Sequence, residues 1–334
     1  MRPPSDLSFS MSSSRLQSAL QQKSNELALS SVTGEAADKS SHLNGIIMPL
    51  SLAERRHDLL LQEKSNIAEA KIKLEAAQNT LAQIERVSQD TLTDYASSDQ
   101  LQARDQLIGL SNQAETAFEN IVSLLNTQIS GKYHFSGLNT QNAPIPSGEA
   151  MLDGIKAQII PPVTADAAIQ IVKDWFEFPS GDYYTSVYQG TEDSIENLLT
   201  DDLNSIGYDK SAISGEIVQT LSALAVAALG TSSSSSFSKI DLKNLIYESR
   251  SGLLQAVPAL INAQSSLGRD QKLVEETSLR VEEDLQFLSS QKSEMININQ
   301  FDTVSAYEQV SGQLDIFYQV IGRRNQITLQ GYLK

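Results

Sequence analysis

Asn126-Thr-Gln-Ile-Ser-Gly131-Lys-Tyr133-His-Phe135-Ser-Gly137-Leu-Asn-Thr140 stands where a long helical pattern stops. Upstream, Leu107, Leu110, Ala114, Phe118, Ile121 and Leu125 recur every three or four positions, the spacing of one helix face. Within the stretch, Gly131 reads as a helix break, Tyr133 and Phe135 alternate with polar neighbours, and Gly137 reads as a second break. A helix stop, a short strand and a turn mark a junction between two architectures.

Working outward toward the N-terminus, residues 12–31 spell a weak helix (Leu16, Leu20, Leu27) dominated by Ser, Gln and Asn. A stripe so thin predicts a helix that needs a partner. After a Gly- and Ser-containing break at 32–45, Leu60, Ile67, Leu74 and Leu81 fall seven apart. Ala70, Ala77 and Ile84 follow the last three by three residues. This is a heptad seam with small residues at half its positions, suited to close packing on another helix. Glu69, Lys71, Lys73 and Glu75 are assigned to its outer face. Ala96-Ser97-Ser98-Asp99 supplies a break and a cap, after which a second helix is expected from Asp99 to about Gln128, as a hairpin or a kinked rod.

Beyond the junction the pattern changes. Met151–Val163 and Asp182–Gly190 read as strands, Ala165–Phe178 as a helix around Trp175, the only tryptophan, and Ile213–Leu229 as an Ala-rich helix. Five serines at 232–236 read as a connector. Helix then returns: Leu242, Leu245, Leu253, Leu254, Val257 and Leu260, with Gly268 as punctuation, then Val274, Val281, Leu285, Leu288 and Met295, and last Val304, Tyr307, Val310, Leu314, Phe317 and Ile321.

The fold class expected is mainly α: an antiparallel long-helix coiled-coil stem built by the N- and C-terminal regions, with a small α+β middle domain inserted. The expected divisions are 1–140 (N-terminal stem), 141–238 (middle domain) and 239–334 (C-terminal stem). Leu60, Ile67, Leu74, Leu81, Leu285, Leu314 and Phe317 are the expected packing and assembly residues of the stem. Apolar surface left over from helix pairing would be covered by further copies of the chain.

Composition narrows function. Hydrophobic residues at 40% and charged residues at 20% argue against wholesale disorder. The formal net charge of −16 argues against nucleic acid or an anionic membrane as partner. Acidity concentrates at 141–230, with 13 Asp and Glu against 3 Lys and Arg, as expected of a solvent-facing domain between balanced flanks. Cysteine is absent, which excludes disulfides, thiolate metal sites and a Cys nucleophile. The first residues lack the apolar core of a cleaved leader, and no run approaches a membrane span.

Chemistry is not evident. His42, His57 and His134 have no metal-ligand spacing, and no phosphate loop or nucleophile elbow occurs. The acidic pairs Glu192/Asp193, Asp201/Asp202, Glu275/Glu276 and Glu282/Glu283/Asp284 read as solvated faces rather than a glycosidase pair. Tyr183, Tyr184 and Tyr188 could line a carbohydrate site, but packing on Trp175 explains them equally well. No catalytic, cofactor or metal residue is assigned, and the chain is not read as an enzyme.

The junction stretch resembles the Asn…Gly-x-Tyr-x-Phe-Ser/Ala-Gly-x-x-Thr segment of the hook-associated proteins at the hook–filament junction, within the flagellin-like family of bacterial flagella. Asn126, Gly131, Tyr133, Phe135, Gly137 and Thr140 carry the match, and the helical run from Ser266 to Leu333 is similar to the family's C-terminal helix. Residues 30–38 keep only traces of the family's segment after the first helix. The resemblance implies an extracellular structural adaptor of the flagellum, exported by the type III apparatus without a cleaved signal. Its implied partners are copies of itself in a ring, the neighbouring hook-associated protein, flagellin and an export chaperone. A filament-forming flagellin, or a coiled-coil type III secreted translocator or binding protein, is the alternative.

Overall fold

The computed structural model describes residues 4–96, 98, 101, 103–159, 164–191, 196–200, 205–208, 210–231 and 237–332. Ser97 and Asp99 of the expected cap, Pro161-Pro162, both acidic pairs at 192–202, the serine run and Leu333 lie outside the described residues. The fold is mainly α, with long helices from the two ends of the chain packed on one another. The chain divides into two compact units, Met1–Glu63 with Arg280–Lys334, and Lys64–Leu279.

The first unit holds α1 (Pro4–Thr33), α2 (Lys39–His42), the start of α3 (Met48–Tyr95), the end of α8 (Lys239–Ile296), and α9 (Gln300–Tyr332). Gly34 ends α1 with φ +75°, its amide reaching back to Ser30 O at 2.9 Å, the left-handed cap that glycine accepts most readily. Ala36 N then donates to Ile296 O, and Ile298 N to Gly34 O, tying the exit of α1 to the turn between α8 and α9. Gln300 Nε2 meets Ser31 O at 2.9 Å, and Gln21 Nε2 meets Tyr318 Oη at 2.8 Å. One residue number falls as the other rises, so α1 and α9 run antiparallel. The stripes are thin. Among the described side chains of α9 only Thr303 is buried.

In the second unit α3 and α8 are also antiparallel, joined by Lys71 to Glu275 (2.6 Å), Glu85 to Gln264 (2.8 Å) and Tyr95 to Ser249 (3.4 Å). The seam beneath is nearly sealed: Ile67, Leu74, Leu81 and Ile84 of α3, and Leu253, Leu260, Leu267 and Val274 of α8, are all buried. The helix α4 (Arg104–Leu125) returns along α3 as a hairpin, because Lys132 just beyond it reaches Glu69 at 2.8 Å. Then come the short hairpin β1 (Gln128–Ile129) and β2 (Lys132–Tyr133), α5 (Gly148–Ala157), α6 (Ala165–Trp175), the hairpin β3 (Glu196–Thr200) and β4 (Ser205–Tyr208), and α7 (Gly215–Ala228). Helix α4 packs on α7 and α5, and α6 on α7. The alanines of α7 permit close approach: Gly252 of α8 sits where an added Cβ would meet Ala223 Cβ at 2.8 Å.

Three local expectations are corrected. The described part of the expected Met151–Val163 strand, residues 151–159, is not a strand: Ser147 caps Ala150 N, and Met151, Leu152 and Ile155 form the buried face of α5. Asp182–Gly190 is not a strand either. Tyr183–Val187 is a π-helical turn whose Tyr183 ring packs against Trp175, Phe176 and Tyr184. Burial of aromatic rings overrides their strand preference there. Gly268 does not interrupt α8, which runs through it.

Candidate assembly surfaces and the junction segment

The junction segment is built by backbone pairing. Helix α4 stops at Leu125 with Asn126 as its C-cap, so the helix ends before Gly131. The Asn126 side chain then grips Ile145 from both sides: Nδ2 donates to the Ile145 carbonyl at 2.8 Å, and the Ile145 amide donates to Oδ1 at 3.4 Å. Gly131 serves the β1–β2 turn, where Ser130 (φ +54°) and Gly131 (φ +77°) are both left-handed, as a two-residue turn of the I′ class requires. Tyr133 N donates to Thr140 O at 2.9 Å, closing a loop that bends at Gly137 (φ +66°).

Phe135 is buried and Tyr133 only half-buried; His134 and Ser136 are buried as well, so the expected alternation does not hold. Phe135 O accepts from Ala212 N (2.8 Å), His134 O from Tyr208 Oη (3.4 Å), and Ser136 O from Thr191 N (3.3 Å). Ala212 O in turn accepts from Tyr183 Oη at 2.8 Å. The segment is thereby stitched into the middle of the chain. Burial, reinforced by the neighbouring Tyr184 and Tyr188, pushes the Tyr183 phenol well above its usual range.

Of the seven stem residues, Leu60, Ile67, Leu74 and Leu81 are buried along α3, whereas Leu285 on α8 and Leu314 and Phe317 on α9 are half-buried. The first unit is the shorter, yet it carries most of the large apolar side chains exposed among the described residues. Ile46, Ile47, Met48 and Leu52 form one such run, and Phe287, Phe301 and Ile316 are others. So many large apolar side chains left in water within one unit point to an interaction face.

Polar side chains converge at one place in the second unit. A pocket of about 400 Å³ is lined by Glu69, Ile72, Lys73, Lys132, His134 and Leu138 among others. The Lys132 ammonium, hydrogen-bonded to Glu69, holds that carboxyl below its usual range. Lys73, assigned to the outer face, is instead buried, its ammonium 4.6 Å from the centre of the Tyr208 ring. Its place three residues after Ala70 and four before Ala77 was the available signal. Among the described residues no group of three or more His, Asp and Glu could hold a metal ion, and no helix is long and apolar enough to cross a membrane.

No family model matches the chain, and no curated protein matches it in sequence. Several solved structures align with it, two flagellar proteins among them. One, described as a flagellar hook-associated protein of Vibrio parahaemolyticus, is 13% identical, with 74% of this chain and 96% of that chain covered and a TM-score of 0.53. The other, FlgL of Bacillus cereus, is 16% identical, with 72% and 98% covered and a TM-score of 0.48. The first likeness is one of fold: a mainly α chain that spans nearly the whole of a hook-associated protein shares its architecture.

Proposed function

We propose that the chain is a structural subunit of the bacterial flagellum, an adaptor at the hook–filament junction that assembles through its terminal helices. The observation that carries this reading is the state of the first unit. Helices α1 and α9 pair antiparallel, yet leave Leu16, Leu29, Val32, Ile316 and Val320 exposed, as are Ile46, Ile47 and Met48 in the same unit. Such surface is costly to a lone chain in water and is covered when copies stack.

The fold shared with a flagellar hook-associated protein supports the same reading, as does the junction motif at 126–140. In it, copies of the chain form a ring between a neighbouring hook-associated protein and flagellin, after export with the help of a chaperone. The stem comprises 1–140 and 239–334, and residues 141–238 form the acidic outward domain. Asn126, Gly131, Tyr133, Phe135, Gly137 and Thr140 form the neck joining stem to outer domain. Leu60, Ile67, Leu74 and Leu81 hold the stem together, while Leu285, Leu314 and Phe317 sit where neighbouring copies complete their burial. The role is mechanical and needs no catalytic group.

Removing the chain from its own organism tests the position. An adaptor's loss leaves bare hooks while flagellin is shed into the medium. Loss of a filament subunit would instead leave hooks that already carry an adaptor ring, and that outcome would overturn the junction assignment.

A further inference from the structure

One face of α8 remains uncovered, and its pattern is regular. Ile240, Tyr247, Leu254 and Ile261 fall seven apart and are 72%, 69%, 57% and 43% exposed. Four residues after each stands a smaller or polar side chain: Asn244, Ser251, Pro258 and Ser265. The alternating four–three spacing is that of a coiled-coil seam, with large knobs at one position and shallow holes at the other. It lies opposite the face that α8 buries within its own unit through Leu242, Leu245, Ser249, Leu253, Ala256 and Leu260.

We infer that this stripe is a docking seam for a second copy of the same chain, laid parallel and in register. The flanks select that occupant. Beside the seam, Lys243 and Arg250 line one edge and Asp241 and Glu248 the other. In a parallel pair in register, each edge faces the opposite edge of its neighbour, and the residue five positions on is the one met. Lys243 of one copy therefore meets Glu248 of the next. Glu248 already accepts from Lys173 Nζ at 2.6 Å through Oε1, so in the pair its carboxylate is shared between Lys173 and the second copy's Lys243. An antiparallel pair would set lysine and arginine against lysine and arginine along one edge and acid against acid along the other.

Four large side chains backed by small polar ones make a shallow seam, so the contact forms at high local concentration rather than in dilute solution. It lies wholly within Lys64–Leu279 and is independent of the terminal-helix assembly proposed above. Trimming α9 leaves it unchanged, so the two readings fail separately.

The chain has no cysteine, so single-cysteine variants of the full chain report the contact directly. Tyr247→Cys and Leu254→Cys replace exposed side chains, and Asp153→Cys, exposed on α5, is the control. On mild oxidation of concentrated purified protein, each seam variant is expected to form a disulfide-linked dimer at least about tenfold faster than the control, because in-register pairing sets like against like. Lys243→Glu should slow that cross-linking two- to threefold in the Leu254→Cys background, and adding Glu248→Lys should restore it. In a mixture of Tyr247→Cys and Leu254→Cys chains, preferential joining of one variant to the other would overturn the parallel register. Cross-linking no faster than the control would overturn the second copy as occupant and leave the seam to a different protein.

Discussion

Lys71 of α3 and Glu275 of α8 meet at 2.6 Å, and the same ammonium reaches Ser278 Oγ at 3.2 Å. This contact fixes the register in which the second half of the chain returns along the first, but it does not supply the adhesion. Both side chains are substantially exposed, so water and salt screen the pair. Lys71→Ala is expected to cost less than about 1 kcal/mol. Leu74→Ala, one turn away and buried, should cost about 2–5 kcal/mol through lost burial and the cavity left behind. Urea unfolding of the two variants decides the matter, and equal losses would contradict a seam held by apolar packing.

Gly131 and Gly190 should fail for different reasons. An added Cβ at Gly131 meets nothing within 4 Å, so Gly131→Ala carries only the strain of a positive φ, about 1–2 kcal/mol. At Gly190 the added carbon would run into the Tyr188 hydroxyl and Ser136 O. Gly190→Ala must therefore displace the junction segment, and it should cost more than Gly131→Ala in thermal denaturation. It should also shift the amide resonances of 135–137, whereas the shifts from Gly131→Ala should stay within the β1–β2 turn.

Tyr183→Phe removes the donor to Ala212 O while keeping the ring. A buried carbonyl that loses its partner costs about 1–3 kcal/mol. The same phenol makes the second unit sensitive to alkali. Its folded pKa is raised, so below the ordinary tyrosine value of about 10 both folded and unfolded chains are protonated and its contribution is complete. Above that value the unfolded chain ionises first, and stability falls as pH rises. Circular dichroism between pH 9 and roughly 12 should show wild-type stability falling as pH rises, and the fall should be shallower in Tyr183→Phe, which starts from a lower stability.

Free protein should exchange its amides unevenly. The described part of α9 buries little, whereas α3 and α8 in the second unit bury a continuous seam. Amides of Gln313–Val320 are expected to exchange orders of magnitude faster than those of Leu74–Ile84. Equal protection would mean that α9 is stable without neighbours.

Much of this fold is legible in the residues. Leu60, Ile67, Leu74 and Leu81 declare a buried seam because nothing but helix packing requires a large aliphatic every seventh position over so many turns. Alternation is less informative. Tyr133 and Phe135 suggest a strand, but two-residue pairing and burial from three sides leave His134 inside as well. Met151, Leu152 and Ile155 mislead because a short apolar run fits helix and strand alike, and Ser147 with its cap is the deciding signal. The Ile240–Ile261 stripe is hidden for a different reason. Its heptad is interleaved with the buried one at Ile246, Leu253 and Leu260, and only the packed structure separates the face already covered from the one left open.

The account rests on assembly through the terminal helices, and deletion of Leu314–Lys334 tests it most directly. The prediction is a truncated chain whose Lys64–Leu279 unit keeps its wild-type circular dichroism and thermal transition but is absent from purified hook–filament structures. Normal incorporation of the truncated chain would contradict it.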